Sequence, residues 1–196
     1  AFREDSVEAY LLGRGNPRAG DQFSIDSKGI QFSFGAHLFG RTINVLGEPL
    51  DGLGSFPPDN TPLRMEADAP RMSARAPMTA PLLTGMSAID ILIPIAKGQR
   101  QLIVGPLSSG KRKFIENVFA HQKGSGVVCI YAFIGRPVAY VEEAIANLLS
   151  EQGNSDVIIL ASFSDDPAPM VYLTPIVALE LAESFSIEGK DVLVVL

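Results

Sequence analysis

The sequence predicts an α/β fold: a parallel sheet covered by helices, carrying a phosphate-binding loop and preceded by part of a small antiparallel barrel. Three observations carry this prediction. After residue 81, apolar runs of strand length alternate with segments of helical periodicity, the signature of a sheet covered on its faces. Gly105, Gly110 and Lys111 in "GPLSSGK" meet the G-x-x-x-x-G-K spacing between such a run and such a segment. Before residue 55, short bursts such as "FSIDS", "IQFSFG" and "RTINVLG" are cut by glycine-containing turns, as in short antiparallel strands.

Taken in chain order, residues 1–54 are expected to form the partial barrel, with turns around Asp21, Gly29, Gly35 and Gly47. Residues 55–81 gather Pro57, Pro58, Pro62, Pro70, Pro77 and Pro81, which break helices and strands alike and predict an extended connector. Residues 82–196 are expected to form the P-loop nucleotide-binding domain. Its expected strands are "QLIVG" at Gln101–Gly105, "VVCIYAFIG" from Val127, "DVIILASF" from Asp156 and "DVLVVL" from Asp191. Their continuous apolar character fits burial on both faces. Helices are expected over Lys111–Gln122, where Phe114, Ile115, Val118 and Phe119 share a face, over Val138–Gln152 and over Met170–Phe185.

The net charge of −6 and the pI near 4.9 argue against a nucleic-acid binder that works by counterion release. The lone Cys129 lies within an apolar run, which excludes a disulfide framework and points to a buried thiol. The acidic start "AFREDSVEAY" is unlike a signal peptide, and no apolar run approaches the roughly 20 residues of a membrane span. A soluble, intracellular protein is expected. A first residue other than Met and a last residue inside an apparent strand suggest a piece of a longer chain.

The loop carries the chemistry. Backbone amides of such a loop and of the first helical turn converge on one spot, the helix dipole adds partial positive charge, and the lysine ammonium reaches the outer phosphates. Arg112 is the departure. A hydroxyl at this position normally ligates Mg²⁺, which neutralises phosphate charge, and a guanidinium has no lone pair to offer a metal. Arg112 either stands against phosphate oxygens as a permanent cation or points into solvent. Ser108 and Ser109 lie on the loop before Gly110, away from the usual metal side.

A nucleotide hydrolase also needs carboxylates at neighbouring strand ends, and Arg136-Pro137 follows the strand "CIYAFIG" where one would be wanted. Glu142 and Glu143 come later and are read as a solvated helix face. His37 and His121 have no Cys or acidic partners at metal-ligand spacing. Asp165-Asp166-Pro167 is read as a helix start, and Tyr131, Tyr140 and Tyr172 as packing groups.

The segments "LFGRTINVLGEPLDGLG", "APLLTGMSAIDILIPIAKGQRQLIVGPLSSGK" and "SDDPAPMVYLTPIVALELAESFSIEGKDVLVVL" resemble the alpha subunits of F-type rotary ATP synthases over nearly the whole chain. Export ATPases of flagellar and type III systems share the "TG-x-x-AID" phrase but match less well. The resemblance implies a RecA-like P-loop NTPase core. It puts phosphate binding on Gly105, Ser108, Ser109, Gly110 and Lys111, with Arg112 at the family's Mg²⁺-binding Thr. The catalytic Glu of the beta subunits falls on Arg136, and the Walker B acid follows Leu196.

The implied function is that of a non-catalytic, nucleotide-binding or regulatory subunit of a proton-translocating rotary ATP synthase, with no catalytic and no metal residues of its own. ATP or ADP is the implied ligand, while Pro106, Leu107 and Arg112 count against tight binding and against Mg²⁺. Beta-like catalytic subunits in a hetero-hexameric ring and a rotor stalk are the implied partners. Membrane association, at the cytoplasmic or matrix face, would come only through that complex. An active export-type ATPase and a pseudo-ATPase scaffold remain as alternatives.

Overall fold

The computed structural model describes residues 2–3, 6–7, 9, 11–13, 15–24, 32–57, 71, 73, 77–106, 108–149 and 156–196. In chain order these form β1 (Phe2–Arg3), β2 (Ser6–Val7), β3 (Thr42–Ile43), β4 (Pro81–Leu82), α1 (Ser87–Leu92), β5 (Ile95–Ala96), α2 (Lys111–Gln122) and β6 (Val128–Arg136). The chain continues through α3 (Val138–Leu149), β7 (Val157–Phe163), α4 (Ala168–Ile187) and β8 (Val192–Val195). The main sheet is parallel with order β3-β7-β6-β8, and β1-β2 and β4-β5 are separate antiparallel pairs.

Period-two burial on the central strands explains why the sheet needs helices on both sides. Val128, Ile130 and Ala132 of β6 and Ile158 and Leu160 of β7 pack with Leu173, Val177, Ala178, Leu181 and Phe185 of α4. The alternate residues Cys129, Tyr131, Phe133, Val157, Ile159 and Ala161 pack with Phe119 of α2 and with Val141, Ala144 and Leu148 of α3. Direction of travel sets the faces. The chain moves from β6 to its neighbour β7, then back past β6 to β8. Right-handed crossovers in opposite directions put α3 and α4 on opposite sides of the sheet.

The expected α/β class, the parallel sheet and the three later helices are all present. The Pro-rich connector and the burst "FSIDS" fall mainly outside the described residues. Three expectations are corrected. First, Gln101–Gly105 is not a strand, and Leu102 and Val104 are 80% and 82% exposed. The carbonyls of Gly105 and Pro106 accept from the Lys111 ammonium and Pro106 has no amide to donate, so the end of the segment has little left for a ladder. Apolar alternation marks the capacity to pair but supplies no partner.

Second, Thr42–Ile43, expected in the barrel, is the edge strand of the parallel sheet, with Thr42 opposite Ile159 and Ile43 opposite Leu160. Phe32, Leu38, Ile43 and Val45 accordingly lie in the same core as α4. A local polar scaffold holds this edge. Asp51 accepts from Arg41 Nε at 2.6 Å, from Arg41 Nη2 at 2.9 Å and from the amides of Thr42 and Leu53. Asn44 Oδ1 accepts from the amides of Leu46 and Glu48, closing the intervening turn.

Third, α4 is long and apolar enough to cross a membrane by length and composition. One face of it packs on the sheet, where Leu173, Thr174, Val177, Ala178, Leu181 and Phe185 are buried. Tyr172, on its outer side, is 73% exposed and is not the packing group expected from the sequence.

Candidate functional site

The site lies where the loop after Gly105 runs into α2. Gly110 takes a left-handed conformation, φ 83°, immediately before the helix, and an added Cβ there would meet nothing within 4 Å. The open backbone is what close approach of a ligand requires. At the other end the loop closes on itself: a Cβ at Gly105 would stand 2.6 Å from Ser109 Oγ. Ser108 is the one described non-glycine residue with positive φ, 68°. Conformations of this kind cost about 1–3 kcal/mol and gather at ligand-binding loops.

No side chain caps α2, so the amides of its first turn are left unsatisfied by the protein's side chains. Its 12 residues give a dipole with the positive end at the loop. Lys111 Nζ donates to Gly105 O at 2.5 Å and to Pro106 O at 2.6 Å, with Ser109 Oγ at 3.4 Å. The ammonium is therefore held over the loop by bonds that a phosphate oxygen could replace.

Arg112 does not point into solvent; its side chain is 19% exposed. Its Nε donates to Glu116 Oε1 at 2.8 Å and its Nη1 to Glu143 Oε2 at 3.1 Å. The guanidinium carbon lies 5.0 Å from the centre of the Tyr140 ring, and Nη2 is buried without a hydrogen-bond partner. Burial works against the Arg112 charge, but the bonds it donates to Glu116 and Glu143 outweigh it and raise its pKa. Asn147 Nδ2 also reaches Glu116 Oε1, at 3.4 Å. Arg112 thus ties the start of α2 to α3.

Arg136 ends β6 and is exposed. Its guanidinium carbon lies 5.8 Å from the same Tyr140 ring, and its side chain pairs with no carboxylate among the described residues. A bulge aims it there, because the register between β6 and β7 shifts between Phe133 and Arg136. Gly135 has φ 58°, and its amide donates to Ser162 Oγ at 3.1 Å. Thr174 Oγ1 holds that hydroxyl from α4 at 2.7 Å.

The structure therefore brings Gly105, Ser109, Gly110 and Lys111 together, with Ser108 in the same loop, and turns Arg112 aside onto two carboxylates. Glu143 was expected on a solvated face; it is 68% exposed and also an Arg112 partner. The spacing of Arg112 and Glu116, four apart in a helix, signals that pair in the sequence. Nothing in the sequence signals Ser162 and Thr174 as the support of the Arg136 bulge. The remaining candidates have structural surroundings. Asp166 accepts from the Phe163 amide just before α4. Burial pushes the Cys129 thiol up to about 12 and the Tyr131 phenol up to about 12, which leaves both inert near neutrality.

Residues 85–196 match the family model described as "ATP synthase alpha/beta family, nucleotide-binding domain". ATP synthase subunit alpha of Clostridium botulinum (strain Eklund 17B / Type B) is 40% identical over 196 residues, covering 99% of this chain and 38% of that protein. The subunit alpha of Lactobacillus johnsonii is 36% identical over 192 residues, covering 97% of this chain and 38% of its own. That of Dehalococcoides mccartyi is 37% identical over 195 residues, covering 99% and 39%. The chain spans about two fifths of the length of these relatives.

Proposed function

The chain belongs to the ATP synthase alpha/beta family, and from that premise we propose that it is an alpha-like, nucleotide-binding subunit with a regulatory or structural role and no hydrolysis of its own. The nucleotide is ATP or ADP. Its phosphates are held by the backbone of Gly105, Ser108, Ser109 and Gly110 and by the Lys111 ammonium. The support is the open αL backbone at Gly110, the uncapped start of α2 and an ammonium already drawn over the loop.

One observation carries the non-catalytic reading: the side chain after Lys111 is a guanidinium occupied by two carboxylates, and the strand end beside it presents Arg136. The residues present do not fit Mg²⁺. Arg112 has no lone pair for a metal, and Glu116 and Glu143, the acids in contact with it, are engaged by that same cation. Nor is there a carboxylate at position 136 to accept a proton from attacking water. The site is thus impaired for Mg-ATP chemistry.

The proposal extends to the assembly: a hetero-hexameric ring with beta-like catalytic subunits around a rotor stalk, in a proton-translocating synthase whose membrane contact comes through the complex. Binding of a fluorescent ATP analogue tests the site. Saturable binding lost in Lys111→Ala, with no phosphate release from the parent chain, is expected. Phosphate release that disappears in Lys111→Ala would overturn the non-catalytic reading and favour an active export-type ATPase.

A further inference from the structure

We infer that this chain binds the phosphate chain of its nucleotide without a divalent cation, with the guanidinium groups of Arg136 and Arg112 supplying the neutralising charge. The inference rests on the nucleotide-binding reading above and names the form of the ligand at that same site: metal-free ATP rather than Mg-ATP.

Two guanidinium groups attend one aromatic ring, Arg112 at 5.0 Å and Arg136 at 5.8 Å from the centre of Tyr140. A ring so placed attracts cations and fixes their planes, leaving their N–H edges to hydrogen bonds. Arg112 uses Nε on Glu116 and Nη1 on Glu143, yet Nη2 is buried with no acceptor. A buried N–H donor of a charged group without a partner is costly, and an oxyanion is the acceptor it suits best. Arg136 has its whole guanidinium free of carboxylates among the described residues, and a bulge pinned by Ser162 and Thr174 sets its direction. With Lys111, three cations stand on the two elements that start at the loop and end beside it, set against the carboxylates of Glu116 and Glu143.

Such an arrangement discriminates by charge. It attracts the four negative charges of free ATP and repels a magnesium ion that would come with them. Glu116 and Glu143, both bonded to Arg112, oppose phosphate binding. Glu143 is 68% exposed, so it can turn into water as the anion arrives.

Calorimetric titration of the chain with ATP, once in EDTA and once in excess Mg²⁺, provides the test. Affinity in EDTA equal to or greater than that in Mg²⁺ is expected, falling as salt rises. Arg136→Ala, an exposed change that leaves the core untouched, is expected to weaken the EDTA binding about tenfold, the usual loss for a charge-assisted hydrogen bond. Lys111→Ala weakens binding in both media. Binding that requires Mg²⁺, or EDTA binding indifferent to Arg136→Ala, would overturn the inference and leave the nucleotide reading standing. Absence of binding in both media would overturn the two together.

Discussion

At the scale of single residues, charge placement decides more than charge number. Arg112 and Arg41 are both guanidinium groups paired to carboxylates, but they differ in what the pairing leaves over. Arg41 is 15% exposed and Asp51 14%. Asp51 takes Arg41 Nε and Nη2 and the amides of Thr42 and Leu53, and Arg41 Nη2 also donates to the Gly54 carbonyl at 2.8 Å. Arg112 keeps one buried donor in hand. The first is an anchor for the sheet edge; the second is an anchor with an unused edge.

The Asp51 pair also sets a pH dependence. Burial pushes the Asp51 carboxyl up, but the bonds from Arg41, Leu53 and Thr42 outweigh it and hold its pKa below the ordinary 3.8. A depressed folded-state pKa means that the unfolded chain binds this proton more readily. The stabilisation is complete above the ordinary value and is lost as pH falls through the folded-state value. Asp51→Asn removes it at neutral pH, costing about 1–3 kcal/mol by the loss of charge-assisted bonds in a mostly buried place. Urea unfolding at pH 7 and at pH 3 measures this: the gap between parent and variant should narrow at the lower pH.

At the scale of elements, the bulge at the end of β6 is the feature on which the site turns. It re-aims Arg136, and it depends on Gly135 at φ 58°, where an added Cβ would meet Val171 Cγ1 at 3.2 Å. Gly135→Ala is expected to destabilise the chain by about 1–2 kcal/mol, the cost of a left-handed conformation for an L side chain. Thermal unfolding by circular dichroism reads that change. The same variant should bind nucleotide less well than its stability alone would explain, because the Arg136 edge is displaced.

Elements also show what the sequence revealed. Lys111–Gln122 was legible to the residue because a phosphate-loop motif and a helical apolar face give the same start. β6 and β7 were legible because a strand buried on both faces must be apolar throughout. Gln101–Gly105 has the same apolar character and failed, because a strand is defined by a partner and its own terminal carbonyls are bonded to Lys111. Thr42–Ile43 was misplaced because two residues carry no record of which sheet they join. In the site, the loop residues were legible by spacing, whereas the Glu143 bond to Arg112 and the Ser162–Thr174 support of the bulge span separate elements and leave no local pattern.

At the scale of the whole molecule, the two-sided sheet explains why the fold does not depend on the chemistry of the loop. The core on the α4 face and the core on the α2–α3 face are built from alternate residues of the same strands, and neither draws on Lys111 or the loop. Position 112 is therefore free to carry an interhelix tie to Glu143 without drawing on either core. The proposed function has this surface take up phosphate through the loop backbone and the Lys111 ammonium. Among the described residues, the strand end beside it carries Arg136 rather than a carboxylate, which is the basis of the proposed non-catalytic role.

The most direct measurement of this account is a crystal structure of the chain grown with ATP and excess Mg²⁺. The account predicts a phosphate chain over Gly105–Lys111, with Arg136 on an outer phosphate oxygen, Arg112 Nη2 satisfied, and no metal between them. A magnesium ion in octahedral coordination beside Arg112, bridging the phosphates, would contradict it.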